Sequence, residues 1–342
     1  MADPLSPPSS TGAEELNIHA LPPRIQPLLA KIEQQLHSEV DAFLPELRPA
    51  VRSVLEAGGK RLRPLLALLA GEATGAIRDE HYLLGTTLEI FHSATLVHDD
   101  ILDGAEFRRM LPTAKAVLGS EASLLLGDAL FAHALVLAAS FTDPAICRAI
   151  AEAAKRVCSG EILQTFSRKD LQLGFDAYMF HIEYKTAALF QVAARLGAYL
   201  NLNHTPHTDA LDQYGLAMGI AYQLYDDCLD VFGEEDTAGK SLGTDVETGK
   251  LTLPVLFALR DGNPAVARTL AAVVSGQERL PFSHLQQLIR ETQAPQRCHE
   301  VVQDYLNRAD TQLIGLPDSE ARTILQQLLA YIHKRVQRLL AP

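Results

Sequence analysis

The chain has 342 residues, of which 47% are apolar and 21% are charged, and its formal net charge at pH 7 is −12. This length allows one large domain or two ordinary ones, and the composition is that of a globular protein rather than a disordered one. The excess of acid argues against a nucleic-acid binder whose affinity comes from a basic face, and the four separated cysteines indicate neither a zinc knuckle nor a disulfide framework.

The N-terminal segment, residues 1–22, is rich in proline and serine and predicts a disordered tail. It lacks a basic region followed by an apolar one, so we expect no secretory signal. The longest uncharged stretch, Ala129 to Thr142, has 14 residues and is short for a membrane span. We therefore expect a cytoplasmic protein with at most peripheral membrane contact and no nucleic-acid partner.

Helical periodicity dominates the chain from about residue 26 onward. Asp143 and Asn263 each stand before a proline and predict helix N-caps. Segments 120–140 and 213–225 are apolar nearly all round, which predicts positions in the middle of a bundle. With no useful strand pattern, residues 23–342 predict a single all-α domain. Its clearest helices are predicted at 61–76, 80–103, 120–140, 144–163, 175–199 and 208–232.

Two clusters of three aspartates each end a long apolar helix. They are Asp99, Asp100 and Asp103 in the first cluster and Asp226, Asp227 and Asp230 in the second. The outer aspartates of each cluster are four residues apart, so their carboxylates lie on one helical face and repel. Oxygen ligands of this kind suit Mg²⁺ shared with phosphate oxygens. Either cluster alone is more often a solvated helix end, but the pair predicts a metal and phosphate site.

Basic residues are spread around these clusters. Gly58 and Gly59 precede a basic segment, residues 60–63, where backbone N–H groups and cations could hold an anion; the alternative is a helix C-cap with solvated charges. The other basic positions are Arg108 and Arg109 in a loop, Lys185 beside Thr186 in an apolar helix, and Lys240 and Lys250 in a polar loop where exposure is expected. Basic residues near the end of the last predicted helix, Glu320–Leu340, are expected to complement its dipole. Together these features suggest a diphosphate ligand with an apolar remainder.

These residues resemble the trans-isoprenyl diphosphate synthase (polyprenyl synthetase) family, and the motif detail is closest to its long-chain all-trans members. Eight blocks occur in the family's order: GGKRLRP (58–64), FHSATLVHDDILD (91–103), RRMLPT (108–113), GDALFAHA (127–134), GEILQ (160–164), YKTAALF (184–190), AYQLYDDCLD (221–230) and GKSLGTDVETGKLTLP (239–254). The resemblance implies an isoprenoid synthase-type helical bundle around a deep apolar cavity, in a homodimer. It also implies Mg²⁺-dependent, head-to-tail trans condensation of isopentenyl diphosphate with an allylic diphosphate to a polyprenyl diphosphate.

The resemblance further implies roles at matching positions. The six aspartates would hold about three Mg²⁺ ions, with Asp99, Asp103 and Asp226 as the principal ligands. The allylic diphosphate would contact Arg108, Lys185 and Lys240. Isopentenyl diphosphate would contact Gly59, Lys60, Arg63, His92 and Arg109. Thr186 and Gln223 would lie close to the reacting carbons, which makes Lys185, Thr186, Gln223 and Arg108 the catalytic set. Met110 departs from the glycine that the family's arginine loop carries, and strains that loop if the backbone there needs a positive φ.

Product length in the resembled family depends on residues that precede the first aspartate. Ala94, Phe91 and Thr87 share one helical face, and Ala94 leaves open a position where short-chain members often place an aromatic ring. This predicts a product longer than farnesyl, in the long-chain class, with geranylgeranyl as the nearer alternative. Phe91 is either the floor of the product cavity or an ordinary core aromatic.

Three other functions account for these residues less completely. A non-catalytic regulatory subunit of such an enzyme typically lacks some of the aspartates, and this chain keeps all six. A class I terpene cyclase shares the metal chemistry but has no second diphosphate for a basic segment and His92 to hold. An acidic helical scaffold leaves the ordered basic blocks unexplained.

Overall fold

The computed structural model of the protein describes residues 22–108, 111–234 and 242–341. Residues 1–21 of the predicted tail, and the predicted site residues Arg109, Met110 and Lys240, lie outside the described residues.

The described chain is built of α-helices joined by short turns. The first ten are α1 (Ile25–Glu39), α2 (Arg48–Leu55), α3 (Leu62–Thr74), α4 (Asp79–Leu102), α5 (Ala114–Leu118), α6 (Ser120–Ala139), α7 (Pro144–Phe166), α8 (Phe175–Ile182), α9 (Ala188–Leu202) and α10 (Pro206–Phe232). The next six are α11 (Thr244–Glu247), α12 (Leu253–Asp261), α13 (Pro264–Val274), α14 (Phe282–Arg290), α15 (Ala294–Leu313) and α16 (Glu320–Leu339). A 3₁₀ turn, Val40–Ala42, follows α1, and a π-helical turn, Glu183–Ala187, joins α8 to α9. A small antiparallel hairpin pairs β1 (Phe107–Arg108) with β2 (Leu111–Pro112).

The predicted all-α architecture is confirmed, and every predicted helix is present with ends close to those expected. The segment predicted as one helix at 175–199 is α8, the π turn and α9 in succession. Both predicted caps form: the side chain of Asp143 accepts from the backbone N–H of Ala145 at 2.9 Å, and that of Asn263 accepts from Ala265 at 2.9 Å.

The centre of the bundle is formed by α3, α4, α9 and α10, which pack against one another. Close contact of α3 with α9 depends on Gly197, because a Cβ there would lie 2.3 Å from the carbonyl oxygen of Ala67. The predicted central position of segment 213–225 is confirmed, since nine of its thirteen residues are buried in α10 and Gln213 alone is exposed. The two aspartate clusters therefore lie at the ends of helices that belong to the buried centre of the fold.

Helix α6 differs from its prediction. Its inner face packs on α4, but Leu125 is 66% exposed and Val136 is 64% exposed, so the helix does not lie in the middle of this chain's bundle. A helix that is apolar all round would have both of its faces packed against other apolar surfaces. In this chain only the inner face of α6 is packed in this way. By length and composition α6 is also apolar enough to cross a membrane, the one such helix found among the described residues.

Candidate active site

Both aspartate clusters line one deep cavity of about 910 Å³. All six predicted metal-binding aspartates contribute to its wall, and so does every described residue predicted to contact substrate. The latter are Gly59, Lys60, Arg63, His92, Arg108, Lys185, Thr186 and Gln223. The structure therefore brings together residues that are far apart in sequence, and their individual roles stay predictions.

In the first cluster, neighbouring cations offset the repulsion expected between carboxylates. Asp100 accepts hydrogen bonds from Arg108 Nε at 2.9 Å and Nη2 at 2.7 Å. Lys185 Nζ lies 3.9 Å from Asp99 Oδ2. Burial raises the pKa of Asp99 to about 6, although the charge of Lys185 opposes the shift. A further cation beside Asp99 would therefore favour the ionised form of this carboxyl.

Asp103 is held by two cations that the sequence analysis did not connect with it. Lys250 Nζ donates to Asp103 Oδ2 at 2.9 Å, and Arg168 Nη2 donates to Oδ1 at 2.9 Å. Burial is the largest influence and acts to raise the pKa of Asp103, but the charge and hydrogen bond of Lys250, together with the charges of Lys185 and Arg168, hold this pKa below its ordinary value. The expectation that Lys250 is exposed is wrong: it is only 8% exposed and also contacts Asp245. The only sequence feature that could have linked Lys250 to the site is its place in the 239–254 block, and no sequence feature links Arg168 to it.

The second cluster is tied into the protein by hydrogen bonds. Asp227 accepts from the Tyr178 hydroxyl at 2.5 Å and from Gln223 Nε2 at 2.6 Å. Asp230 accepts from the hydroxyl of Thr244 at 3.3 Å. Burial raises the pKa of Asp227 above its ordinary range, while the hydrogen bonds from Tyr178 and Gln223 oppose the rise. Tyr178, 49 residues away in sequence, is a contact that the motifs did not predict.

Lys185 and Thr186 lie in the π-helical turn, a geometry that is frequent at functional sites. Gly160 of the GEILQ block allows this turn to approach α7, because a Cβ there would lie 2.4 Å from the backbone nitrogen of Lys185. Lys185 Nζ contacts the carboxylate of Glu161 and donates to Gln164 Oε1 at 3.0 Å. The block thus places its polar side chains around the lysine.

The glycine-rich segment forms a tight turn before α3. Gly58 has φ +75°, and Arg61 adopts a left-handed conformation with φ +43°. Arg61 is buried and binds the carboxylates of Glu33 and Glu89, each at 2.7 Å, so its role is to hold the turn. Arg63, by contrast, lines the cavity, and its buried Nε has no hydrogen-bond partner in the described structure. An unpaired buried donor beside a cavity suits an anionic ligand.

The donor set was tested against Mg²⁺. Within residues 22–108, 111–234 and 242–341, no three His, Cys, Asp or Glu side chains form a ready-made metal cage. The two clusters offer carboxylate oxygens alone, on separate helices around the same cavity. Mg²⁺ is commonly held by one or two carboxylates, with waters and substrate phosphates completing its shell. The residues present fit Mg²⁺ completed by a diphosphate.

The predicted product-length residues are buried in α4 and are not part of the described cavity wall. Thr87 and Ala94 have no exposed surface, and the ring of Phe91 packs against that of Phe131 on α6 with centroids 5.0 Å apart. The contact between Phe91 and Phe131 therefore joins α4 to α6 about two helical turns before the first aspartate cluster.

The last helix contributes to the same cavity. Arg335 of α16 lines it and donates from Nε to the hydroxyl of Tyr225 at 3.2 Å. The expectation that basic residues here only complement the helix dipole is therefore wrong for Arg335. Nothing in its local sequence distinguishes it from its basic neighbours.

Comparison with known proteins gives a consistent result. The polyprenyl synthetase family profile matches residues 44–292. The heptaprenyl diphosphate synthase component 2 of Geobacillus stearothermophilus is 35% identical over 307 residues, which cover 90% of this chain and 95% of that protein. The octaprenyl diphosphate synthase of Escherichia coli is 32% identical over 311 residues, covering 90% and 94%. The crystal structure of a polyprenyl synthase from Caulobacter crescentus, complexed with calcium and isoprenyl diphosphate, matches with a TM-score of 0.86 at 32% identity, covering 91% of this chain and 97% of that one.

Proposed function

This chain belongs to the polyprenyl synthetase family and is a trans-prenyltransferase, and we propose that it condenses isopentenyl diphosphate with an allylic diphosphate, using Mg²⁺, to give a long-chain polyprenyl diphosphate. The observation that carries the proposal is the convergence of two aspartate clusters and their surrounding cations on one cavity. A cavity with carboxylates for metal and cations for phosphate suits a diphosphate leaving group.

The allylic diphosphate lies, in this proposal, between the two clusters. Asp99, Asp103 and Asp226 would hold Mg²⁺ there, and the bound ion would supply positive charge to the departing diphosphate. Lys185 and Arg108 line the same wall and add charge that is already ordered by Asp99 and Asp100. The allylic C–O bond then breaks without a proton donor from the protein.

The carbon chemistry takes place beside Thr186 and Gln223, whose side chains line the cavity. Their oxygen atoms carry partial negative charge toward the developing allylic cation, and the apolar wall excludes water that would capture it. The double bond of isopentenyl diphosphate attacks the cation and forms the new C–C bond. The resulting cation loses a proton to the released diphosphate, which restores a double bond in the product.

The second diphosphate is assigned to the wall formed by Lys60, Arg63 and His92. Lys60 Nζ lies 3.4 Å from the Tyr222 hydroxyl, and Arg63 stacks over the Phe190 ring at 4.6 Å from its centroid. These contacts order two cations for an anion. A terpene cyclase does not bind a second diphosphate, so this second site favours a prenyltransferase over a cyclase.

A long-chain product is supported by the small side chain of Ala94 and by the heptaprenyl and octaprenyl relatives. A tail that extends along α4 beyond the present cavity wall would reach the level of Ala94 and then the packed rings of Phe91 and Phe131. We assign this pair as the floor that limits the product. Geranylgeranyl diphosphate remains the alternative product.

A homodimer is proposed to cover the exposed face of α6. The helix α7, which packs against α6, also exposes apolar side chains: Ile162 is 52% exposed and Phe166 is 79% exposed. An apolar patch that spans two packed helices is typical of a protein interface. With this face covered, the chain suits the proposed cytoplasmic location, and a second copy of the chain is the partner we assign.

The function is tested by incubating the purified protein with farnesyl diphosphate, isopentenyl diphosphate and Mg²⁺, and by analysing the product by mass spectrometry. The proposal predicts diphosphate release and an extended prenyl diphosphate. Failure of the folded protein to release diphosphate would favour a regulatory subunit that needs a catalytic partner.

A further inference from the structure

A continuous set of hydrogen bonds links the cavity wall to a buried tyrosine. The Thr186 hydroxyl donates to Gln223 Oε1 at 2.8 Å, and Gln223 Nε2 donates to Asp227 Oδ1 at 2.6 Å. The Tyr178 hydroxyl donates to the other oxygen of Asp227 at 2.5 Å. Each oxygen of this carboxylate therefore receives a hydrogen bond from a protein donor.

The arrangement follows from helix geometry. Gln223 and Asp227 are four residues apart on α10, so the amide and the carboxylate meet on one face of the helix. Tyr178 reaches the other oxygen of the same carboxylate from α8 and, unlike Gln223 and Thr186, does not line the cavity. Tyr178 is 2% exposed and Asp227 is 4% exposed, so water does not compete for these contacts.

The partners of Gln223 determine which way its amide faces. The NH₂ group points toward Asp227, whose carboxylate oxygens accept its hydrogen bond and that of Tyr178. The carbonyl oxygen is then directed toward Thr186, where it lies beside the cavity. A flipped amide would instead turn the positive NH₂ group toward the place where an allylic cation develops, which opposes the reaction.

We propose that Tyr178 is a positioning residue for the condensation: it holds Asp227, and Asp227 in turn fixes the amide of Gln223 with its carbonyl oxygen toward the reacting carbons. In this assignment Asp227 anchors the amide rather than binding metal, unlike Asp226 beside it. The inference rests on the proposed function, because Gln223 matters only if a cation forms in this cavity.

The chain offers a matched control. Tyr214 is fully buried on α10, and its hydroxyl donates to the backbone carbonyl oxygen of Leu325 at 2.8 Å, with no link to Gln223. Tyr178→Phe and Tyr214→Phe thus each remove one buried hydroxyl. Only the first removes a hydrogen bond to Asp227.

The test is a double-mutant cycle on kcat and KM with farnesyl and isopentenyl diphosphates, using Tyr178→Phe, Gln223→Leu and the double variant. Tyr178→Phe is expected to lower kcat about tenfold with little change in KM, because a displaced amide misplaces charge at the reacting carbons. In the Gln223→Leu background the same change is expected to have no further effect. Tyr214→Phe is expected to leave kcat within about twofold in both backgrounds.

The inference is overturned if Tyr178→Phe keeps the kcat of the wild-type protein, or if it lowers kcat just as much in the Gln223→Leu background. The proposed function stands in either case, as long as the wild-type protein is active. A second measurement does not need the Tyr178 variant to fold. Calorimetric titration of Mg²⁺ with inorganic diphosphate is expected to give Asp227→Asn an affinity within about threefold of wild type, and Asp226→Asn a loss of at least about tenfold. Equal losses in the two variants contradict the assignment of Asp227.

Discussion

Lys250 Nζ lies 2.9 Å from Asp103 Oδ2, so a buried lysine from the segment before α12 neutralises the last aspartate of the first cluster. Arg168 binds the other oxygen of the same carboxylate. In the proposed function, Mg²⁺ that binds Asp103 would therefore replace these protein cations at the carboxylate.

The first prediction concerns this exchange. Arg168→Gln leaves Asp103 with one competing cation fewer, so the affinity for Mg²⁺ in the presence of inorganic diphosphate should rise about threefold, the size expected for a partly exposed ion pair. Calorimetric titration measures this affinity for Mg²⁺. Arg308→Gln is the control, because Arg308 pairs with Asp304 on the surface of α15. Unchanged or weaker Mg²⁺ binding in Arg168→Gln, relative to this control, would contradict the exchange.

The second prediction concerns the floor of the product cavity. Phe91→Ala removes one ring of the Phe91–Phe131 pair and should lengthen the product by at least one isoprene unit, as read by mass spectrometry. Phe257→Ala is the control, since Phe257 is also buried but packs against Phe175 and Arg297 and does not line the cavity. Identical product distributions in wild type and Phe91→Ala would make Phe91 an ordinary core aromatic.

The third prediction concerns the exposed face of α6. Leu125→Lys places a charge in the proposed interface and should convert a dimer to a monomer, measured by light scattering after size-exclusion chromatography. Ile314→Lys is the control, because Ile314 is also exposed, at 68%, but lies at the end of α15, which packs mainly on α10. A wild-type protein that is monomeric at micromolar concentration would rule out the dimer and leave the face to another partner.

The fourth prediction concerns stability against acid. His81 accepts the backbone N–H of Arg78 at Nδ1 and contacts the carbonyl oxygen of Gly197 through Nε2, each at 3.0 Å, so it is held as the neutral ring. Burial lowers the pKa of His81, although the hydrogen bond with Gly197 opposes the shift. The unfolded chain thus binds this proton more readily than the folded one.

The sign of the effect follows from this difference. The stabilisation by neutral His81 is present above the unfolded pKa of about 6.5 and declines as the pH falls below it. The free energy of unfolding in urea should therefore fall between about pH 7 and about pH 5.5. His81→Gln, which cannot take up a proton, should show a smaller fall. Parallel curves for the two proteins would remove His81 as a cause.

Local pattern was enough to predict most of the helices. The ends of α4 and α10 and the caps at Asp143 and Asn263 follow from residues that are near one another in sequence. The site residues were predicted from the order of the sequence motifs, and the fold brings these motifs together around one cavity.

The contacts that were missed depend on tertiary approach. Lys250 reaches Asp103 across 147 residues, and Tyr178 reaches Asp227 across 49, and no local spacing encodes either distance. The misplaced helix α6 has a related cause, because apolar residues all round a helix indicate burial without indicating whether the same chain provides it.

The central claim is that the cavity between the two clusters joins isopentenyl units to an allylic diphosphate. Its most direct test is incorporation of radiolabelled isopentenyl diphosphate, primed by farnesyl diphosphate with Mg²⁺, into prenyl product. Wild type should incorporate several units, and Asp99→Asn and Asp226→Asn should each reduce incorporation at least about 100-fold, while Asp310→Asn on α15 should not. Undiminished incorporation by the first two variants, or none by folded wild-type protein, would contradict the account.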